Sequence, residues 1–269
     1  MSLTLSTGQR GYGAWAEAMH AEWTKLRTLA STGWLLAGAV AATVTVSAAT
    51  AGAATVSPGI DPAKLSLTGV QAGQALFAIL GVLAISSEYS TGMIRVTLTA
   101  MPRRTVTLAA KAALAGGLAL AAAAVAVLVS ALAGRFLLPR RGFIPANGYS
   151  LLSLGNGADL RAVCGSVLYL ALIALLSLGI ATAVRDPAVA IGTVLALLYL
   201  FPIVATLITD QTWQRHLEQV GPMTAGLYIQ ATVGVRTLPL TPWQGLGVLA
   251  LWTAGALILG GLLFRFRDA

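Results

Sequence analysis

Residues 162–184 read AVCGSVLYLALIALLSLGIATAV, 23 residues without a charge between Arg161 and Arg185. At 1.5 Å per residue this run makes about 34 Å of helix, and the hydrocarbon core of a bilayer is about 30 Å thick. Its apolar residues are continuous rather than alternating with period two, which argues against a barrel strand. It predicts a helix whose backbone hydrogen bonds are satisfied within the segment, as lipid demands. Five further charge-free windows lie between Arg27 and Asp61, Lys64 and Glu88, Lys111 and Arg135, Asp186 and Asp210, and Arg236 and Arg265. Composition agrees: 57% of the 269 residues are hydrophobic and 10% are charged, against about 25% charged in an average soluble domain. The expected fold class is an all-α integral membrane protein, a single transmembrane domain over 1–269 with spans at about 33–55, 66–86, 106–133, 162–184, 188–209 and 243–264.

The neighbours of the 162–184 run carry the next inferences. Arg185-Asp186-Pro187 is so short that it forces an antiparallel helical hairpin, with Pro187 suited to the first turn of the fifth span. Pro202 is expected to kink or loosen that span. Cys164, the single cysteine, excludes an intramolecular disulfide and reads as a small packing residue. The Ala-Gly-Gly-Leu-Ala run from Ala115 lets backbones approach closely and makes the third span a packing surface at the centre of the bundle. Gln71 and Gln74 enter the second span as one interhelical hydrogen-bonding face, a reading preferred here to a lined pathway. Between Asp210 and Pro242, Trp213, Leu217 and Val220 are helically spaced and Met223, Leu227 and Tyr228 follow the Gly221-Pro222 break. That pattern predicts one or two short helices lying on the membrane or dipping into it.

Ahead of the first span, Trp15, Met19, Trp23, Leu26 and Ala30 share one helical face. With Lys25 and Arg27 beside them, they predict an N-terminal amphipathic helix over 13–30 lying in the lipid interface. Lys and Arg divide 10 to 7 between the two sides, which favours both termini inside. The net charge of +8 is then assigned to the membrane surface rather than to nucleic acid.

The search for chemistry returns negatives. No lysine stands in the phosphate-cradling pattern GxxxxGK[ST], so ATP and Mg are expected only in a partner. His20 and His216 fall on opposite sides under this topology, which removes a shared metal site. Ser166 and Ser177 have no basic partner for nucleophilic catalysis. Charge-free spans also speak against a proton-driven secondary transporter. The expectation is a chain that is not an enzyme.

The most polar interruption between apolar runs is Ser87–Arg104, SEYSTGMIRVTLTAMPRR. Tyr89, Met93, Val96 and Ala100 fall on one helical face, so a short amphipathic helix is expected there, with Glu88 in its first turn at the positive end of the dipole. A lipid-binding basic connector is the plainer alternative. The pattern Glu88-Tyr89-x-x-Gly92-x-Ile94-Arg95-x-x-Leu98-x-x-x-Pro102-Arg103-Arg104 resembles the cytoplasmic loop of actinobacterial ABC transporter permeases of the type 2 exporter class. Three further stretches are similar to the same family: Glu22-Trp23-x-Lys25-Leu26-Arg27, Arg185-x-Pro187-Ala188-x-Ala190 and Arg267-Asp268-Ala269.

The resemblance implies the membrane subunit of an ABC exporter in the bacterial plasma membrane, paired as a homo- or heterodimer with a separate ATP-binding cassette ATPase subunit. By the same resemblance Glu88, Tyr89, Gly92, Met93, Arg95, Leu98, Pro102, Arg103 and Arg104 form the coupling segment toward the ATPase. Trp15, Glu22, Trp23, Lys25 and Arg27 belong to the interfacial helix on membrane lipid. The alternative from another class is a non-transporting membrane anchor or immunity protein that binds a partner through the same loop. A membrane-accessible cavity or a lateral opening between protomers favours the first and a fully packed bundle the second.

Overall fold

Local sequence sets where the helices begin and end. A computed structural model describes residues 19, 20, 24, 30–90, 104–150, 152, 153 and 155–266, without the side chains of 30, 88, 90 and 104. In chain order its helices are α1 (Ala30–Ala53), α2 (Pro62–Ser66), α3 (Gly69–Ser90), α4 (Arg104–Leu137), α5 (Gly157–Val184), α6 (Pro187–Leu207), α7 (Gln211–Val220), α8 (Pro222–Leu227) and α9 (Pro242–Phe266). Asp61, Asn156, Asp186 and Asp210 each accept a hydrogen bond from a backbone N–H of the helix that follows, which satisfies donors that helix geometry leaves orphaned. Pro62, Pro187 and Pro222 stand in first turns, where the missing N–H costs nothing. Pro202 lies inside α6, and the helix continues through it to Leu207.

Six helices, α1, α3, α4, α5, α6 and α9, are long and apolar enough to cross a membrane. No strand occurs among the described residues. The all-α, six-span expectation therefore holds, while the predicted N-terminal interfacial helix lies outside the described residues apart from Met19, His20 and Thr24. Outward faces are apolar, as hydrocarbon requires: Trp34 on α1 is 80% exposed and Leu251 on α9 is 74% exposed.

Three expectations are corrected. The centre of the bundle is α5, which packs against α3, α4, α6 and α9, not the third span: 61% of the apolar windows of α3 and α5 is buried, against 33% for α4. Small residues on α4 do pack, with Ala119, Ala123 and Ala126 fully buried, but Leu120, Val125 and Leu132 leave its other face open. Cys164 is exposed rather than packed. The spans are also not free of ionisable groups. Lys111 is 4% exposed within α4, and Asp159 is 3% exposed in the first turn of α5. The reason is length: the 34 residues of α4 make about 51 Å of helix, far more than the hydrocarbon core. Windows cut at charges leave out the turns of α4 and α5 that carry Lys111 and Asp159.

Glycines set how closely the core helices approach. A Cβ on Gly81 of α3 would lie 2.0 Å from the Ala174 carbonyl oxygen of α5, and one on Gly179 of α5 would lie 2.6 Å from the Ala256 carbonyl carbon of α9. Backbone thus rests on backbone along α3, α5 and α9, as small residues allow between membrane helices.

Candidate functional site

Two regions were singled out in the sequence, and the structure describes only the edge of the first. Ser87–Ser90 continue α3 as its last turn. Glu88 therefore lies on the same described helix as the second span, not at the start of a separate one. The span helix outruns the apolar window because nothing between Ser86 and Ser90 breaks it. Arg104 opens α4. Gly92, Met93, Arg95, Leu98, Pro102 and Arg103 lie outside the described residues, as do Trp15, Glu22, Trp23, Lys25 and Arg27.

Tyr89 is described, and it points to a neighbour the sequence did not suggest. The Arg185 guanidinium carbon stands 5.6 Å from the centroid of the Tyr89 ring, a cation–π distance. Arg185 is the left-handed residue that ends α5, with φ +68° and its N–H donated to the Ala181 carbonyl at 2.9 Å. The end of α3 is thereby tied to the tight turn between α5 and α6.

The second region, between Asp210 and Pro242, folds as a helical hairpin whose tip packs between α6 and α9. Its descending limb is α7 and its ascending limb is α8 with the 3-10 turn Tyr228–Gln230. The depth of its tip follows from its partners. Trp252 Nε1 donates to the Val220 carbonyl at 2.9 Å, and Trp252 lies ten residues into α9, about 15 Å along its axis. Phe201, against which Gly221 packs, lies six residues before the end of α6, about 9 Å below it. From this tip the chain climbs α5 in register. Gly226 seats on the Tyr169 ring and Ile229 on Gly165; Gln230 Nε2 donates to Ser166 Oγ at 3.0 Å; and Arg161 Nη2 donates to the Ala231 carbonyl.

Polar contacts hold the hairpin at three levels. Deepest, the Tyr169 hydroxyl donates to Gln74 Oε1, and Gln74 Nε2 donates to Met223 Sδ at 3.1 Å. All three side chains are buried, so the interhelical reading of Gln74 holds, although Gln71 is exposed and contributes only its carbonyl, to Tyr199. Midway, the Tyr228 hydroxyl donates to Glu218 Oε2 at 3.1 Å and joins the two limbs. Burial first, and the Glu218 carboxylate second, hold the Tyr228 phenol well above its usual pKa, so it stays a donor at any physiological pH.

At the mouth, Asp61 accepts five bonds. Two are from the N–H groups of Ala63 and Lys64, at 3.0 and 3.1 Å. Three are from the hairpin: Thr232 N–H, Thr232 Oγ1 at 2.7 Å and Val233 N–H at 2.9 Å. The Asp61-Pro62 pair was legible as turn chemistry, but a sequence separation of 171 between Asp61 and Thr232 hides the clamp from sequence reasoning. Asp210, at the other root of the hairpin, is exposed. The backbone N–H groups of Thr212 and Trp213 hold its carboxyl below the usual range.

Below the tip, α5, α6 and α9 leave an apolar groove of about 650 Å³. Gly179, Ala183 and Val184 form its floor, Leu197 of α6 one wall and Leu251, Gly255 and Leu259 of α9 the other, with Gln219 and Val220 of α7 as its roof. The bundle is therefore not fully packed.

No family model and no curated protein matches this chain.

What the arrangement can do follows from its geometry. A turn on one side of the bundle is linked through α5 to the buried ascending limb of the hairpin on the other. Tyr169, Ser166 and Arg161, which hold the ascending limb, stand on the same helix that Arg185 closes.

Proposed function

We propose that this chain is the membrane-spanning permease subunit of an ATP-binding cassette exporter, working in a bacterial plasma membrane and driven by a separate ATPase subunit. The observation that carries the reading is the Tyr89–Arg185 contact. It joins the root of the Ser87–Arg104 segment to the helix that grips the hairpin, which is the connection a force-receiving loop requires. Six spans, no phosphate-cradling lysine motif and a bundle with an open groove support it, whereas a passive anchor or immunity protein needs none of these internal ties.

In this reading ATP and Mg are held by the ATPase, two permease subunits pair, and both termini face the cytoplasm. ATP binding moves the 87–104 segment, α5 follows, and the hairpin shifts at the opposite face. The coupling free energy is the difference in how well the two conformations seat the ATPase.

The test is reconstitution in vesicles with an ATP-binding cassette ATPase encoded beside this chain. Stimulated ATP hydrolysis that the double variant Tyr89→Ala/Arg185→Ala lowers, without loss of insertion or assembly, is the expected result. Absence of a complex and of stimulation with every neighbouring ATPase sinks the reading. Stimulation unchanged in the double variant removes the assigned path while leaving the subunit assignment standing.

A further inference from the structure

The end of α4 away from Glu88 carries a basic patch on top of an apolar ridge. Val125, Leu128, Val129, Leu132 and Phe136 face outward, each 41–66% exposed. At 1.5 Å per residue this ridge is about 16 Å long, close to half of the roughly 30 Å hydrocarbon core. Its upper end lies at the edge of the apolar layer. Gly134 seats on Ser66, three residues before α3 begins, and Arg135 Nη1 donates to the Leu152 carbonyl at 3.2 Å, five residues before α5 begins. Phe136 therefore stands where two neighbouring spans enter the hydrocarbon. Helical geometry continues past it through Arg141. Arg135 precedes Phe136 by one residue, about 100° around the axis, and Arg140 follows by four, about 40° the other way. The two arginines flank the top of the ridge.

Charge decides what binds. Arg135, Arg140 and Arg141 are all exposed, and among the described residues no carboxylate pairs with them. Two carboxylates at this end of the bundle are committed elsewhere: Asp61 accepts five bonds at the hairpin mouth, and Asp159, 3% exposed, accepts from the Ser153 N–H at 2.9 Å. Three guanidinium groups at the bilayer edge thus lack a counter-charge from the fold. We propose that this patch binds the phosphate of an anionic phospholipid, whose acyl chains lie along the α4 ridge. Guanidinium and phosphate form charge-assisted, bidentate hydrogen bonds. A zwitterionic headgroup brings its own cation, which the arginines repel, and a soluble anion makes no use of the ridge. The site stands apart from the transport reading, because bound lipid is detectable with no ATPase present.

The experiment uses the whole chain in nanodiscs of equal parts phosphatidylglycerol and phosphatidylcholine. One lipid or the other carries a diazirine on its acyl chain next to the headgroup, and crosslinked peptides are mapped by mass spectrometry. Phosphatidylglycerol is expected to label residues 128–141 in excess over phosphatidylcholine. Arg140→Gln/Arg141→Gln should lower that excess about fivefold for each arginine removed, the factor that about 1 kcal/mol per cation near an anionic surface represents. Arg140→Lys/Arg141→Lys, which keeps the charge, should retain most of it. Arg215→Gln, which removes an exposed cation of α7, should leave it unchanged.

Equal labelling of 128–141 by the two lipids overturns the proposal, as does an excess unchanged in the glutamine double variant. A fall as large with the lysine pair, or with Arg215→Gln, overturns it too, since the effect then belongs to the fold or to net charge. Glycerol phosphate, which has the phosphate but no acyl chains, is expected not to displace the lipid. Full displacement by it shows that the occupant is a soluble anion and overturns the assignment to lipid.

Discussion

Asp61 offers the sharpest test of how the hairpin is held. Asp61→Asn keeps Oδ1, which caps α2 through Ala63 and Lys64 and accepts from Thr232 Oγ1. It turns an amide NH2 toward the N–H groups of Thr232 and Val233, which now donate to Oδ2. Hydrogen bonds to a buried charge contribute about 1.5–3 kcal/mol each; these two are partly exposed, and about 1 kcal/mol each is the appropriate scale once solvent screening is included. The asparagine variant thus weakens the hairpin root by about 2 kcal/mol, roughly a thirtyfold rise in local opening. Asp61→Ala also removes the cap, which adds about 1 kcal/mol. Amide hydrogen exchange reads the two effects apart. Ala231, whose N–H bonds the Tyr228 carbonyl, reports the hairpin, and Leu65, whose N–H bonds the Asp61 carbonyl, reports α2. Asn should accelerate exchange at Ala231 alone, and Ala at both. Unchanged exchange at Ala231 in the asparagine variant would refute the clamp.

Other perturbations have equally defined outcomes. Gly245→Val drives a side chain into the Ala225 carbonyl oxygen, 2.1 Å from where its Cβ would stand; it should displace α8 and lower the melting temperature in detergent, whereas Gly247→Val, which meets nothing within 4 Å, should not. Tyr169→Phe strips Gln74 Oε1 of its donor and should cost about 0.6–2 kcal/mol, with Tyr169→Phe/Gln74→Leu less destabilised than the sum of the single variants in a thermal-denaturation cycle. Asp210 has a lowered folded pKa, so its contribution to α7 is present above the unfolded carboxyl value and disappears as pH falls through the folded one. Exchange at Thr212 and Trp213 should accelerate on acidification in the native chain, and Asp210→Asn should abolish that extra acid dependence while keeping the cap.

The six spans were readable because their signal is local: each apolar run is decided by its own residues and bounded by charges. Windows cut at charges left out the buried Lys111 and Asp159, and the helix of the second span continues past its own window through Glu88. The rank of the spans was not readable at all, since α4 and α5 have almost the same hydropathy, 2.4 and 2.5, and differ in what surrounds them. Gly221-Pro222 and the Trp213 stripe announced a break and a short helix. That the pair makes a hairpin depends on Gly165, Gly226 and Gly245 giving up side chains at distant positions. The clamp of Asp61 on Thr232 and the Tyr89–Arg185 contact join residues far apart in the chain, and no periodicity encodes them.

The glycine seats have a mechanical consequence. Where backbone rests on backbone, as at Gly81 on Ala174 or Gly179 on Ala256, sliding one helix past the other drives main-chain atoms into each other, so α3, α5 and α9 behave as a stiff girder. The only glycine of α6, Gly192, faces open space, and among the described residues α6 meets its neighbouring spans through side chains, which can re-pack under small shear. Among the described spans α6 is therefore one that can shift. It hangs from the girder by the Arg185–Pro187 turn at one end and by the hairpin tip against Phe201 near the other, and its tilt sets the width of the groove.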